Sequence, residues 1–121
     1  MNDDVRVVIT DWFLDDLGRL PLMERRRVRG RIGTLQRKGW KASIMHRDVT
    51  ALEDGIWELR VVSHGAAFRC LFFLDSRDAD RLVVLTACVA KASIKKRHVM
   101  AAEIQRAKLR RGLYLEQERR G

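Results

Sequence analysis

The chain lacks most of the features that advertise a function. It has one proline and two cysteines in 121 residues. Cys70 and Cys88 both sit inside apolar, strand-like runs, so they read as small buried hydrophobes and not as a disulfide framework. No Cys/His spacing matches a zinc site, and nothing in the sequence calls for a metal or other cofactor. No apolar run approaches the roughly 20 residues of a membrane span. The opening Met1-Asn2-Asp3-Asp4 lacks the basic-then-apolar layout of a signal peptide. A cytoplasmic protein with no membrane partner is therefore expected. There is no internal repeat and no low-complexity segment. The length suits one domain, residues 1–121, with a modest core.

Carboxylates are also in short supply. Lys and Arg number 25 against 16 Asp and Glu, a net charge of +9 and an isoelectric point near 10.5. A surplus of this size points to nucleic acid, an anionic membrane surface or an acidic protein. The charge is clustered. Arg25, Arg26, Arg27, Arg29 and Arg31 form one group. Lys91, Lys95, Lys96, Arg97 and His98 form a second. Lys108, Arg110, Arg111, Arg119 and Arg120 form a third.

Periodicity orders the rest. Val5 to Ile9 reads as a strand. Thr10 or Asp11 caps a helix carrying Trp12, Phe13, Leu14, Leu17 and Leu20. Pro21 suits the first turn of a second helix. That helix places Val28, Ile32 and Leu35 on one stripe and stops at Gly39. Gly30 and Gly33 each weaken it by ~1 kcal/mol relative to alanine, so it depends on tertiary packing. Residues 40–54 look irregular, with Lys41, His46 and Arg47 exposed. Asp54-Gly55 is a turn. A polar loop over 76–81 precedes a third strong strand, Leu82 to Ala90, apolar enough to lie inside a sheet. Arg97 to Arg119 is helical, with Met100, Ile104, Ala107 and Leu113 as packing positions. The order β-α-α-β-β-β-α predicts an α+β fold. Two N-terminal helices pack on a small, mainly antiparallel sheet, and a C-terminal helix follows. All helices are expected on one sheet face, leaving the other partly open.

The most informative segment is a hairpin. Ile56 to Val62 and Ala67 to Leu74 both alternate, and Ser63-His64-Gly65-Ala66 lies between them. A two-residue turn at His64-Gly65 pairs Ser63 with Ala66, Val61 with Phe68, and Arg60 with Arg69. One face then carries Trp57, Leu59, Val61, Phe68, Cys70 and Phe72 as core. The other carries two arginines side by side. Like charges directly opposite on a sheet are destabilising, so such a pair implies an anion or a neutralising carboxylate. Glu58 shares that face, diagonal to Arg69, and a Glu58–Arg bridge is the plain reading of one arginine.

Arg60, Arg69 and Lys91 together would make a phosphate clamp, because guanidinium forks match phosphate oxygens and lysine adds a compact charge. The same groups would stabilise the extra charge of a pentacovalent transition state. RNA carries its own nucleophile, the 2′-hydroxyl, so a site that positions and neutralises can cleave RNA without metal. His64, His98 or a lysine among cationic neighbours would move a proton. The plain alternatives are a turn-filling His64 and a solvated helix start at 95–98.

These residues resemble a known family. Leu52-Glu53-Asp54-Gly55-Ile56-Trp57-Glu58-Leu59-Arg60 is similar to the L-x-D-G-[LI]-W-E-L-R segment of phage-derived toxins related to HigB and RelE. Phe68-Arg69-Cys70-Leu71-Phe72-Phe73 resembles that family's next strand, Leu82 to Lys91 its third, and Glu103-Ile104-Gln105-Arg106-Ala107 the E-I-E-R-A of its last helix. The resemblance covers residues 52 to about 115 in order. It implies a RelE-like fold and the toxin of a type II toxin–antitoxin pair. It further implies a metal-independent endoribonuclease acting on mRNA at the ribosome, with no cofactor. The 2′-oxygen attacks the adjacent phosphate and leaves a 2′,3′-cyclic end. A cognate helix-turn-helix antitoxin is the implied partner. On this reading Arg60, Arg69 and Lys91 are catalytic, with His64, Lys95 and His98 as acid, base or RNA contacts. Arg25, Arg26, Arg29, Lys96 and Arg97 are expected to bind RNA and the ribosome. The chain departs from the pattern over 90–98: one family lysine position is alanine, no proline is present, and the linker to Glu103 is about one helical turn longer. The alternative is a non-catalytic RNA- or protein-binding module of the same fold, such as a phage regulator.

Overall fold

Side-chain alternation and helical spacing resolve into five strands and four helices among the described residues. The computed structural model describes residues 3–63, 65–75, 81–92 and 94–120. The order is β1 (Val5–Ile9), α1 (Asp11–Gly18), α2 (Leu22–Lys38), α3 (Trp40–Met45), β2 (Val49–Glu53), β3 (Ile56–Ser63), β4 (Ala66–Asp75), β5 (Arg81–Ala90) and α4 (Arg97–Arg120). Positions 76–80 of the expected polar loop lie outside the described residues. The strands form one sheet in the order β1-β5-β4-β3-β2. β1 runs parallel to β5, and the other pairings are antiparallel. The expected pair of N-terminal helices on a small sheet is thus corrected. The chain enters through a strand that belongs to a five-stranded sheet.

Strand side chains alternate between faces, and both faces are covered. On the first, Leu59, Val61, Phe68, Cys70, Phe72 and Leu85 cluster with Phe13 and Leu17 of α1 and Val28, Ile32 and Leu35 of α2. On the second, Ile56, Leu71, Phe73, Val84 and Ala87 cluster with Ile104 and Ala107 of α4. The expectation that all helices share one face is therefore wrong. β4 and β5 are apolar at nearly every position, and an unbroken apolar run needs cover on both sides. Each fully buried leucine or valine contributes about 1.5–3 kcal/mol.

Polar contacts fix the helices to the sheet. Thr10 caps α1 by accepting the Phe13 N–H at 3.3 Å, while its hydroxyl donates to the Leu85 carbonyl at 2.7 Å. β1 stops pairing at Ile9–Leu85. Further along β5, the Cys88 N–H donates to the Asp16 carboxylate of α1 at 3.0 Å, so a side chain continues the ladder where the strand ends. Pro21 stands at the N-cap of α2, one residue ahead of the first turn. On α4, Arg110 donates to the Thr86 carbonyl at 2.8 Å and Lys108 bridges Asp54 at 2.6 Å. Tyr114 meets the Phe73 ring edge-on at 5.7 Å. The packing position assigned to Leu113 is corrected: Leu113 is exposed, and Tyr114 and Leu115 pack instead.

The segment 40–54 is not irregular. It holds α3 and β2. Gly39, at φ +88°, turns the chain where a Cβ would sit 2.5 Å from the Asp3 carboxylate. Trp40 then packs edge-on against Trp57 at 4.9 Å. β2 is an edge strand with exposed Thr50 and Ala51, so it carries little apolar alternation to read. Asp54 and Gly55 both adopt positive φ in the two-residue turn that joins it to β3, as a type I′ turn requires.

Candidate functional site

The β3–β4 register pairs Arg60 with Arg69, Val61 with Phe68, and Ser63 with Ala66, as the alternation predicts. Gly65 has φ +83°; His64 lies outside the described residues. The two arginines differ in surroundings. Arg69, on the central strand β4, is 7% exposed. Its Nε lies 3.4 Å from a Glu58 carboxylate oxygen, and an Nη donates to the Phe68 carbonyl at 3.3 Å. Arg60 is exposed. β2 begins pairing with β3 only at Val49–Leu59, so no β2 residue stands across from the Arg60 side chain. Its N–H donates to the Asp48 carbonyl at 3.0 Å.

Glu58 sits where the apolar, α4-covered end of this face meets its charged end. Burial pushes its carboxyl above the ordinary 4.5, and the Arg69 and Arg60 charges offset this only in part. The plain reading of one arginine as the partner of Glu58 therefore holds for Arg69. The symmetric two-guanidinium clamp is not what the side chains form. From the sequence Glu58 reads only as an ion-pair partner, because alternation gives its face but not its desolvation.

Val89 of β5 is the register partner of Arg69. Lys91 follows two residues on, exposed, its N–H donating to the Ala67 carbonyl at 2.8 Å. Lys95, Lys96, Arg97 and His98 are exposed at the start of α4, whose first turn holds no acidic residue. Cations are unfavourable at that helix end, and a bound anion would relieve them. Arg25 is half-buried with a buried Nε that has no hydrogen-bond partner among the described residues. Arg29 is exposed on α2.

Arg60 also opens onto a second feature. A pocket of about 380 Å³ is lined by Arg27, Arg31, His46, Arg47, Asp48 and Arg60. An adjoining pocket of about 560 Å³ shares Arg27 and Arg31 and adds Arg26, Arg37 and Met23. Asp48 accepts from Arg31 and Lys38, both at 2.6 Å. Burial raises its carboxyl, but the Lys38 hydrogen bond and the Arg31 and Lys38 charges outweigh that, so it is lowered overall. Of the α2 residues expected to bind RNA, Arg26 lines this groove, whereas Arg25 and Arg29 line neither pocket. The i, i+4 spacing of Arg27 and Arg31 was the available signal. Reading 40–54 as irregular hid the fact that α3 brings His46 and Arg47 alongside.

The two cysteines lie in the core. Cys70 and Cys88 are register partners, free and buried. A hydrogen bond with Cys88, then burial, pushes the Cys70 thiol well up, which suits an inert core thiol. Among the described residues no cluster of His, Cys, Asp or Glu is placed to hold a metal. No helix there is long and apolar enough to cross a membrane.

A family model described as Phage derived protein Gp49-like (DUF891) matches residues 15–111. Neither a curated protein nor a solved structure matches the chain.

Proposed function

The chain belongs to the Gp49-like family of phage-derived proteins, a family related to RelE and HigB toxins and linked to toxin–antitoxin systems, and on that premise we propose that it is the toxin of a type II pair and cleaves mRNA at the ribosome. The observation that carries the reading is Glu58: a carboxyl raised by burial, held beside a buried arginine and an exposed one where the covered and charged ends of the sheet face meet. A carboxyl raised by burial holds a proton more readily than a free one, the direction of shift a general base needs. Glu58 takes the proton of the RNA 2′-hydroxyl. The 2′-oxygen bonds to the adjacent phosphorus, the bond to the 5′-oxygen breaks, and that oxygen leaves with a proton from His98 or Lys95. The products are a 2′,3′-cyclic phosphate and a 5′-hydroxyl. Arg60 and Lys91 meet the non-bridging oxygens as charge builds there. Arg69 is a positioning residue that holds Glu58. The nucleophile belongs to the substrate, so the chemistry uses no metal. The partner is a cognate antitoxin with a helix-turn-helix domain.

Induced expression tests this directly. Wild-type chain is expected to arrest growth and leave transcripts with 2′,3′-cyclic ends, in the presence of EDTA when repeated in vitro. Arg60→Ala should lower cleavage about 10²–10³-fold, the usual loss on removing one transition-state donor, with an unchanged circular dichroism spectrum. Growth arrest that survives Arg60→Ala combined with Glu58→Gln would overturn the ribonuclease reading. One observation favours a second reading, a non-catalytic RNA- or protein-binding module: Glu58 already neutralises Arg69, leaving one guanidinium of the pair open to a phosphate.

A further inference from the structure

The groove along α2 is basic, but it is also edged with apolar side chains. Met23 and Val62 line its two pockets and are 60% and 68% exposed. Leu22, next to Met23, and Met45, next to His46, are exposed as well. An RNA backbone would use the arginines and leave these side chains in water. Among the described residues no Phe, Tyr or Trp lines the groove, so bases would find no stacking platform there. Exposed apolar side chains beside unneutralised charge mark a protein contact instead. Among the described residues, Asp48 is the carboxylate lining the groove, and Arg31 and Lys38 already share it. Arg26, Arg27 and Arg47 are exposed there, and that carboxylate is taken.

We propose that this groove docks an acidic, amphipathic segment of a protein partner, whose carboxylates meet Arg27, Arg47 and Arg60 while its apolar residues cover Met23 and Val62. The proposal rests on the toxin reading for its biological sense, since that reading supplies a neutralising partner. It adds where the partner sits and how it neutralises. Arg60 lines the groove, where its carbonyl accepts from the Arg31 Nε–H at 3.1 Å, and its side chain alternates onto the charged sheet face beside Arg69, at the edge that β2 leaves open. A carboxylate drawn to Arg60 from the groove would occupy the guanidinium that the scissile phosphate needs. Neutralisation then works by charge competition at one side chain and does not require the partner to fill the cleavage site.

The test uses the full chain and two synthetic helical peptides of equal negative charge. One carries Glu on one face and Leu on the other; its control has Ser in place of Leu. The Leu peptide is expected to bind at least about tenfold tighter, the worth of one well-buried apolar side chain. It should slow hydrogen exchange over 22–31, 44–47 and 60–62, and displace a short RNA oligonucleotide. Met23→Gln should weaken the Leu peptide about tenfold and leave RNA affinity unchanged. Arg27→Glu with Arg47→Glu should weaken both peptides. Equal affinity of the two peptides, or indifference to Met23→Gln, would overturn the proposal and make the groove an RNA track. Protection confined to α4 would overturn it by moving the docking site. Peptide docking by a chain that cuts no RNA would leave this proposal standing and sink the ribonuclease reading alone.

Discussion

The two ends of the α4-facing sheet surface are built from the same three strands and behave in opposite ways. At one end Ile56, Leu71, Phe73 and Val84 are buried against Ile104 and Ala107. At the other, Arg60 is exposed and Arg69 is buried but paired with Glu58. The β3–β4 pairing is equally regular at both ends. What differs is cover. α4 brings apolar side chains to the first end, while Lys95 to His98 lie before and within its first turn. The sheet thus commits one end to the core and leaves the other charged, with Arg60 exposed.

Core truncation should widen that contrast most. Leu71 is fully buried on the central strand beneath α4. Leu71→Ala is expected to cost about 2–5 kcal/mol in urea unfolding, through lost transfer energy and the cavity left behind. Val62→Ala, on an exposed side chain of the neighbouring strand, should stay within about 0.5 kcal/mol. Equal losses would mean that the charged end is packed as tightly as the apolar one.

The arginine pair gives the next largest effect. Arg69→Met keeps much of the buried stem but strips Glu58 of its ion pair. The half-buried carboxylate left behind should cost about 1–3 kcal/mol at neutral pH. Arg60→Met removes an exposed charge and should cost less than about 0.5 kcal/mol. The two substitutions would then differ in stability while Arg60→Met alone removes the proposed phosphate contact. If Arg60→Met proved the more damaging to folding, the asymmetry between the two arginines would be wrong.

Much of this was legible in the residues, and what was not has physical causes. The hairpin register followed from strict alternation around His64-Gly65, because a one-residue slip would turn Leu59, Val61, Phe68 and Cys70 outward. The α2 stripe of Val28, Ile32 and Leu35 was equally clear. Which faces the helices would cover was misjudged, because α4 spreads its packing over Met100, Ile104, Ala107, Tyr114 and Leu115, a sparse stripe among many charges. α3 is too short to show a helical period, and edge strand β2 fully buries Val49 alone, too little to show alternation. At the site, register placed Arg60 opposite Arg69, but the exposure of Arg60 depended on where β2 stops, and Arg69 is buried on the central strand beside Glu58. The groove needed α3 in position before His46 and Arg47 could be seen beside Arg27.

The smallest effect is the most selective probe of the boundary between the two ends. Burial raises the Glu58 carboxyl above its unfolded value of 4.5, so the folded chain holds that proton more tightly than the unfolded one. Below the unfolded value Glu58 is neutral in both states and carries no penalty. As pH rises through the folded value it ionises in a half-buried place, and the stability it lent at low pH is lost. An amide at this position does not titrate. Glu58→Gln should therefore match wild type at low pH and gain on it as pH rises above 4.5, then run parallel once Glu58 is ionised in both states. The measurement is the difference between the two chains in urea unfolding across pH, which cancels Asp48 and other carboxylates common to both. A difference that shrinks as pH rises would mean that Arg69 and Arg60 overcome burial. Glu58 would then be a plain ion-pair partner, depressed in its folded value, and a poor match for a proton acceptor near neutral pH.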